Sequence, residues 1–226
     1  MKQTSPGENS ILLRGRLLAD PALSHQNHQL QFFRFPLEVR RLSGAADQIN
    51  VILSQQLLET LPALYCGQSL QVSGEVRTYN NRSGIGSKLV ITVLARSITP
   101  AAPEEGKEDE NRLLLSGTLC RPPVLRSTPL GRSICDLTLA VNRTYGRADY
   151  LPCIAWGSVA YHCAAMEIGD PLRLEGRLQS RIYTKLLDGQ PQERTAFEVS
   201  VMRLIEPEEE RAEAAFSPRW ARQKSE

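Results

Sequence analysis

The nine residues Asn111-Arg-Leu-Leu-Leu-Ser-Gly117-Thr-Leu119 repeat, at an offset of 102, the nine residues Asn9-Ser-Ile-Leu-Leu-Arg-Gly15-Arg-Leu17. The same offset lays Pro21 on Pro123, Leu23 on Leu125, Leu37 and Val39 on Leu139 and Val141, and Asp47 on Asp149. It also lays Gly67 on Gly169 and Gly74 on Gly176. Without a gap, 18 of the 69 positions in 9–77 are identical to those in 111–179. Further on, the second copy is five residues longer before Ile98-Thr-Pro100 meets Ile205-Glu-Pro207. A period of about 100 residues marks a duplicated domain and not a solenoid of short repeats.

Each copy reads mostly as strand. ILLRGRLL and LLLSGTLC are apolar runs around Gly15 and Gly117, and a glycine inside a strand marks a bulge or bend. FFRFPLEV and ICDLTLAV alternate with period 2, which puts Leu137, Leu139 and Val141 on one face. QINVILS and YLPCIAW give a third strand. Residues 55–67 and 157–169 have helical spacing and end on Gly67 and Gly169, although Pro62 works against the first helix. Two more strands close each copy. Three strands, one helix and two strands are the order of an OB fold, so the expected architecture is all-β: two tandem five-stranded Greek-key barrels, each with one short helix between strands 3 and 4. The expected division is 1–100 (a degenerate first domain), 101–110 (an acidic linker), 111–206 (the second domain) and 207–226 (a tail).

Composition narrows the function classes. The chain has 226 residues, 41% hydrophobic and 23% charged, enough for two packed cores. No apolar run reaches the roughly 18 residues that cross a bilayer, and MKQTSPGENS lacks a signal peptide's apolar core, so a cytoplasmic, nucleoid-associated protein with no membrane contact is expected. Five cysteines without a C-x-x-C pair fit buried free thiols better than a zinc site or a disulfide framework. His25 and His28 lie in a polar stretch that reads as a loop tip. The net charge of +2 hides two basic blocks, each with a surplus of four cations (1–100 and 111–205), around the acidic segment 101–110. Basic domains favour a polyanion.

The second copy resembles the bacterial single-stranded DNA-binding proteins. The resemblance is carried by Asn111-Arg-Leu-Leu-Leu-Ser-Gly-Thr-Leu, Leu130-Gly-Arg-Ser-Ile-Cys-Asp-Leu-Thr-Leu-Ala-Val, Tyr150-Leu-Pro-Cys-Ile-Ala-Trp-Gly and Ile168-Gly-Asp-Pro-Leu-Arg-Leu-Glu-Gly-Arg-Leu-Gln-Ser-Arg-Ile-Tyr. The first copy is similar more faintly, through Gly15, Asp20-Pro21, Gly67 and Gly74. The resemblance implies base stacking by Tyr145, Tyr150, Trp156 and Tyr183, the last in a loop after the fourth strand. Every base offers a π-face, so such binding tolerates any sequence. Arg143, Arg147, Arg177, Arg181, Lys185 and Arg194 would meet phosphates.

The first copy holds Ser43, Gln48 and Ser54 at the matching positions, and only Tyr79 stays aromatic near the fourth. Arg40, Arg41, Arg77, Arg82 and Lys88 keep it basic, so it is expected to add electrostatics or oligomer contacts while the second copy grips bases. Of Phe32, Phe33 and Phe35, at least one must face outward. The tail is basic around Trp220 and lacks the family's usual acidic tip, which weakens the case for recruiting replication or repair proteins. Family members bring four such domains together, which a homodimer of this chain would supply. No catalytic motif, metal-ligand cluster or cofactor signature is present, so single-stranded DNA is the expected partner and an enzyme is not expected. The alternative is a degenerate adaptor, such as a primosome component, with little strand binding of its own.

Overall fold

The computed structural model describes residues 7–81, 87–101, 109–187 and 190–205, apart from the side chains of Tyr145 and of residues 185–187. In the first copy the elements are β1 (Asn9–Leu17), β2 (Ala22–Asn27), β3 (Leu30–Arg40), β4 (Ala46–Ser54), α1 (Gln55–Glu59), β5 (Ser69–Asn80) and β6 (Leu89–Pro100). The second copy gives β7 (Glu110–Leu119), β8 (Val124–Ser127), β9 (Ser133–Asn142), a 3-10 turn (Thr144–Gly146), β10 (Ala148–Trp156), α2 (Gly157–Ala164), β11 (Pro171–Leu187) and β12 (Gln190–Leu204).

The offset of 102 survives in the strand pairing. Phe32 faces Ser54 and Glu38 faces Gln48 across β3 and β4. Adding 102 gives Ile134 facing Trp156 and Ala140 facing Tyr150 across β9 and β10. Likewise Ile11 faces Gly74, and Leu113 faces Gly176. In both copies the last strand runs parallel to its neighbour: Val51 pairs with Val93, and Cys153 with Val199. The period-2 face is the buried one, since Leu137, Leu139 and Val141 are nearly inaccessible, as are Leu37, Val39, Ile49 and Val51.

Contacts divide the chain into two compact units. The first unit takes Ile11–Arg112 and Leu178–Glu198; the second draws on Met1–Ser10, Leu113–Arg177 and Val199–Glu226. The far parts of β11 and β12 therefore pack with the first copy.

The expected pair of discrete five-stranded barrels is corrected. Among the described residues the ladders join twelve strands in one mixed sheet, with orders β2-β3-β4-β6-β5-β1 and β7-β11-β12-β10-β9-β8 in the two copies and further pairings β3–β1 and β7–β9. Each copy has a sixth strand, β2 or β8, whose residues are all exposed. Such strands bury nothing, so they carry no hydrophobic periodicity to read. The supposed loop tip at the histidines is a hairpin. His28 and Gln29 have φ of 46° and 68°, the left-handed pair of a two-residue turn whose twist suits flanking strands. His25 lies in β2 and stacks on Phe32 with centroids 4.9 Å apart. Phe35 is core, whereas Phe32 and Phe33 are half-buried. The helices follow the fourth strand of each copy and are shorter than expected. α1 ends at Glu59, two residues before Leu61, whose helical conformation Pro62 disfavours. Gly67 and Gly169 (φ +90° and +101°) instead serve turns, donating to the carbonyls of Leu17 (2.7 Å) and Leu119 (2.9 Å).

The mid-strand glycines answer to a crossing strand. A Cβ on Gly15 would lie 2.1 Å from the Glu38 carbonyl oxygen, and one on Gly117 would lie 2.5 Å from that of Ala140. At these points β1 and β7 turn from one partner strand to another: Arg16 pairs with both Ser69 and Glu38. Gly15→Ala is expected to lower the unfolding free energy by about 3 kcal/mol, since backbone must move to admit the methyl. Gly131→Asn, at φ +75° with open space around its Cβ, should cost less than about 1 kcal/mol, both variants being compared with wild type by urea unfolding.

Candidate nucleic-acid interface

Alternation along β10 sorts its side chains into two faces. Asp149, Leu151, Cys153 and Ala155 point into the core, while Tyr150 and Trp156 are exposed on the opposite face, at 54% and 39%. The two rings are six residue steps apart along the strand, a span of about 20 Å. Across β9, Tyr150 stands beside the small side chain of Ala140. At the same register on β4 stand Gln48 and Ser54, so β4 of the first copy carries no ring at either position.

The turn at one end of β10 is built around a duplicated ion pair. Arg143 grips the fully buried Asp149 through Nε (2.5 Å) and Nη2, and Gly146 (φ +68°) makes the bend between them. Arg41, Gly44 (φ +84°) and Asp47 form the same clasp in the first copy, with Nε and Nη2 at 2.8 and 2.6 Å from the carboxylate. There Asp47 also accepts from the Ser180 amide (2.7 Å) and hydroxyl (2.8 Å), and Arg41 donates to the Ser180 carbonyl (2.7 Å). This clasp holds the Leu178–Glu198 segment within the first unit. Burial opposes the charge on Asp47, but Arg41 and the Ser180 donors outweigh it and hold the carboxyl below the usual range.

The other expected contacts fall in different places. Tyr145 lies in the 3-10 turn, not in a strand. Arg147, which follows it, is exposed. Tyr183 is within β11 and not in a loop; it is half-buried, with the Arg181 guanidinium 5.8 Å from its ring centroid. Arg181 also pairs with Glu198 at 3.1 Å. By contact, Tyr183, Arg181, Lys185 and Arg194 belong with the first unit, and Tyr150 and Trp156 belong with the second. That first unit also holds Tyr79, 51% exposed on β5, together with Arg77, which pairs with Glu75. Lys88 is exposed, and Arg40 is exposed with its Nε 3.7 Å from Glu38. Arg177 is half-buried in the second unit. Arg82, the tail with Trp220, and residues 102–108 of the linker lie outside the described residues.

Two residues near Trp156 escaped the sequence reading. Tyr161 on α2 and Arg132 before β9 border, with Trp156, a recess of about 620 Å³. The signal was available in the helix: Ala160 and Cys163 are its buried positions, so Tyr161 must point outward. Among the described residues no cluster of His, Cys, Asp and Glu could hold a metal ion, and no helix is long and apolar enough to cross a membrane. Cys135, Cys153 and Cys163 are buried free thiols, and burial pushes Cys163 up to about 11, while Cys66 is exposed.

A strand-rich duplicated fold with aromatic side chains on an outward sheet face is a form suited to binding extended polymers. The model of the single-strand binding protein family matches residues 110–205. The single-stranded DNA-binding protein 2 of Listeria monocytogenes is 33% identical over 114 residues, which cover 47% of this chain and 71% of that protein. The single-stranded DNA-binding protein A of Bacillus subtilis is 39% identical over 80 residues, 32% of this chain and 46% of that one. Among solved structures, the wild-type single-stranded DNA binding protein from Thermus aquaticus is similar over 90% of this chain and 94% of its own, with a TM-score of 0.71 and 27% identity. The chain belongs to the single-strand binding protein family. It spans about half the length of several curated relatives that it matches, 50% for the single-stranded DNA-binding protein 2 of Listeria innocua.

Proposed function

We propose that this protein binds single-stranded DNA with little sequence preference, in replication, recombination or repair. The observation that carries this reading is the exposure of Tyr150 and Trp156 on one outward face of β10, inside the span that matches the family. Two rings fixed on a strand present flat surfaces whose rotamers cost little entropy to hold, and stacked bases release water from both faces. Tyr145, Tyr183 and Tyr79 are proposed to extend the contact. Arg147, Arg177, Lys185, Arg194, Arg40, Arg77, Arg82, Arg181 and Lys88 would neutralise phosphates, while Arg41 and Arg143 contribute chiefly by fixing their turns. Two chains would unite four copies of the repeat, and a homodimer is the proposed assembly. The family is named for binding, and no catalytic role is assigned to the chain.

Titration of labelled oligo-dT with the full chain tests the reading. Neutralising about five phosphates on a single strand gives a slope of about −3.5 for log K against log salt. No binding at low salt, or binding indifferent to salt, would overturn it.

A further inference from the structure

The recess beside Trp156 has features that the Tyr150–Trp156 face does not explain. It is lined by Trp156, Gly157, Ser158 and Tyr161 together with Arg132 and Ser133. Tyr161 is 59% exposed, yet it is not loose. Its hydroxyl shares a 2.7 Å hydrogen bond with Ser133 Oγ, tying α2 to the start of β9. Ala160 and Cys163, both fully buried, seat the helix from beneath. Arg132 is exposed and forms no ion pair among the described residues, in contrast to Arg126, which is bound to Asp136 nearby. Two aromatic residues lining one recess, one of them tethered through its hydroxyl, and a guanidinium with no ion pair among the described residues suit one occupant best: a flat, apolar-faced, negatively charged unit.

We infer that this recess is a further nucleobase subsite, in which an unstacked base packs against Trp156 and Tyr161 while its phosphate meets Arg132. The inference rests on the strand-binding reading and deepens it. The strand track continues past Trp156 onto α2, in the second copy alone. The matching positions in the first copy are Ser54, Glu59 and Leu30, and α1 stops at Glu59, so neither ring of the recess nor its guanidinium has a counterpart there.

The test uses the full chain and oligo-dT carrying 5-iodouracil, whose photocrosslinks report bases stacked on aromatic side chains. Crosslinks are expected on Tyr161 as well as on Tyr150 and Trp156. Tyr161→Ala should weaken oligo-dT binding about fivefold or more, and Arg132→Ala should make the salt slope shallower by about 0.7. Tyr161→Phe, which keeps the ring and drops the bond to Ser133, should stay within about twofold of wild type. Crosslinks confined to Tyr150 and Trp156, or equal losses for Tyr161→Ala and Tyr161→Phe, would overturn the subsite and leave the strand-binding reading standing. A wild-type chain that takes up no oligo-dT overturns both. Tyr161→Ala with unchanged affinity would mean that the recess receives something other than a base, and would equally overturn the subsite.

Discussion

Asp47→Ala is expected to lower the unfolding free energy of the first unit by about 3 kcal/mol. The carboxylate is 1% exposed and answers Arg41 twice and Ser180 twice. Removing it leaves a guanidinium and a backbone amide without their acceptor, and an orphaned buried group costs more than the pair contributes when intact. Because Arg41 keeps 31% side-chain exposure, water recovers part of the loss, which sets the figure at the low end for a broken buried pair. The double replacement Arg41→Met with Asp47→Leu should be less destabilising than the sum of its parts. Acid acts on the same contact. The folded carboxyl titrates below its unfolded value of about 3.9, so its contribution is intact above that pH and fades as pH falls through the folded value. The urea midpoint of the wild type should therefore drop more steeply below about pH 4 than that of Asp47→Asn.

Tyr150→Ala and Trp156→Ala should each weaken binding to oligo-dT by about 1–3 kcal/mol, or roughly five- to 150-fold. The register match makes the controls unusually direct. Gln48→Ala and Ser54→Ala alter the equivalent two positions of β4, in the same register one repeat earlier, and should leave affinity unchanged. Equal losses at Gln48 and Tyr150 would remove the division of labour between the copies. So would equal losses for Tyr79→Ala and Tyr145→Ala.

The repeat carried the fold's local grammar into the sequence. Strands that bury one face, such as ICDLTLAV, were legible because their alternation is enforced by the core. What the alternation could not show was partnership between distant strands. The edge strands β2 and β8 bury nothing, and the parallel pairs β4–β6 and β10–β12 depend on contacts across about 40 residues or more, so their pairing leaves no local mark. At the interface, Tyr150 and Trp156 were legible as aromatic positions in register with the repeat. Arg41 and Arg143 read as free cations, since sequence does not reveal that Asp47 and Asp149 are buried against them. Tyr161 was missed for a related reason: its counterpart is Glu59, so the repeat offered no hint of a ring there.

The most direct test of the central claim is the emission of Trp156 itself. Trp220→Phe leaves Trp156 as the one tryptophan of the chain, and oligo-dT is then titrated in with binding followed in parallel by anisotropy. Stacking predicts saturable quenching that tracks the anisotropy and reverses with added salt. Emission that stays constant while the anisotropy shows full binding would place the strand elsewhere on the molecule and contradict the account.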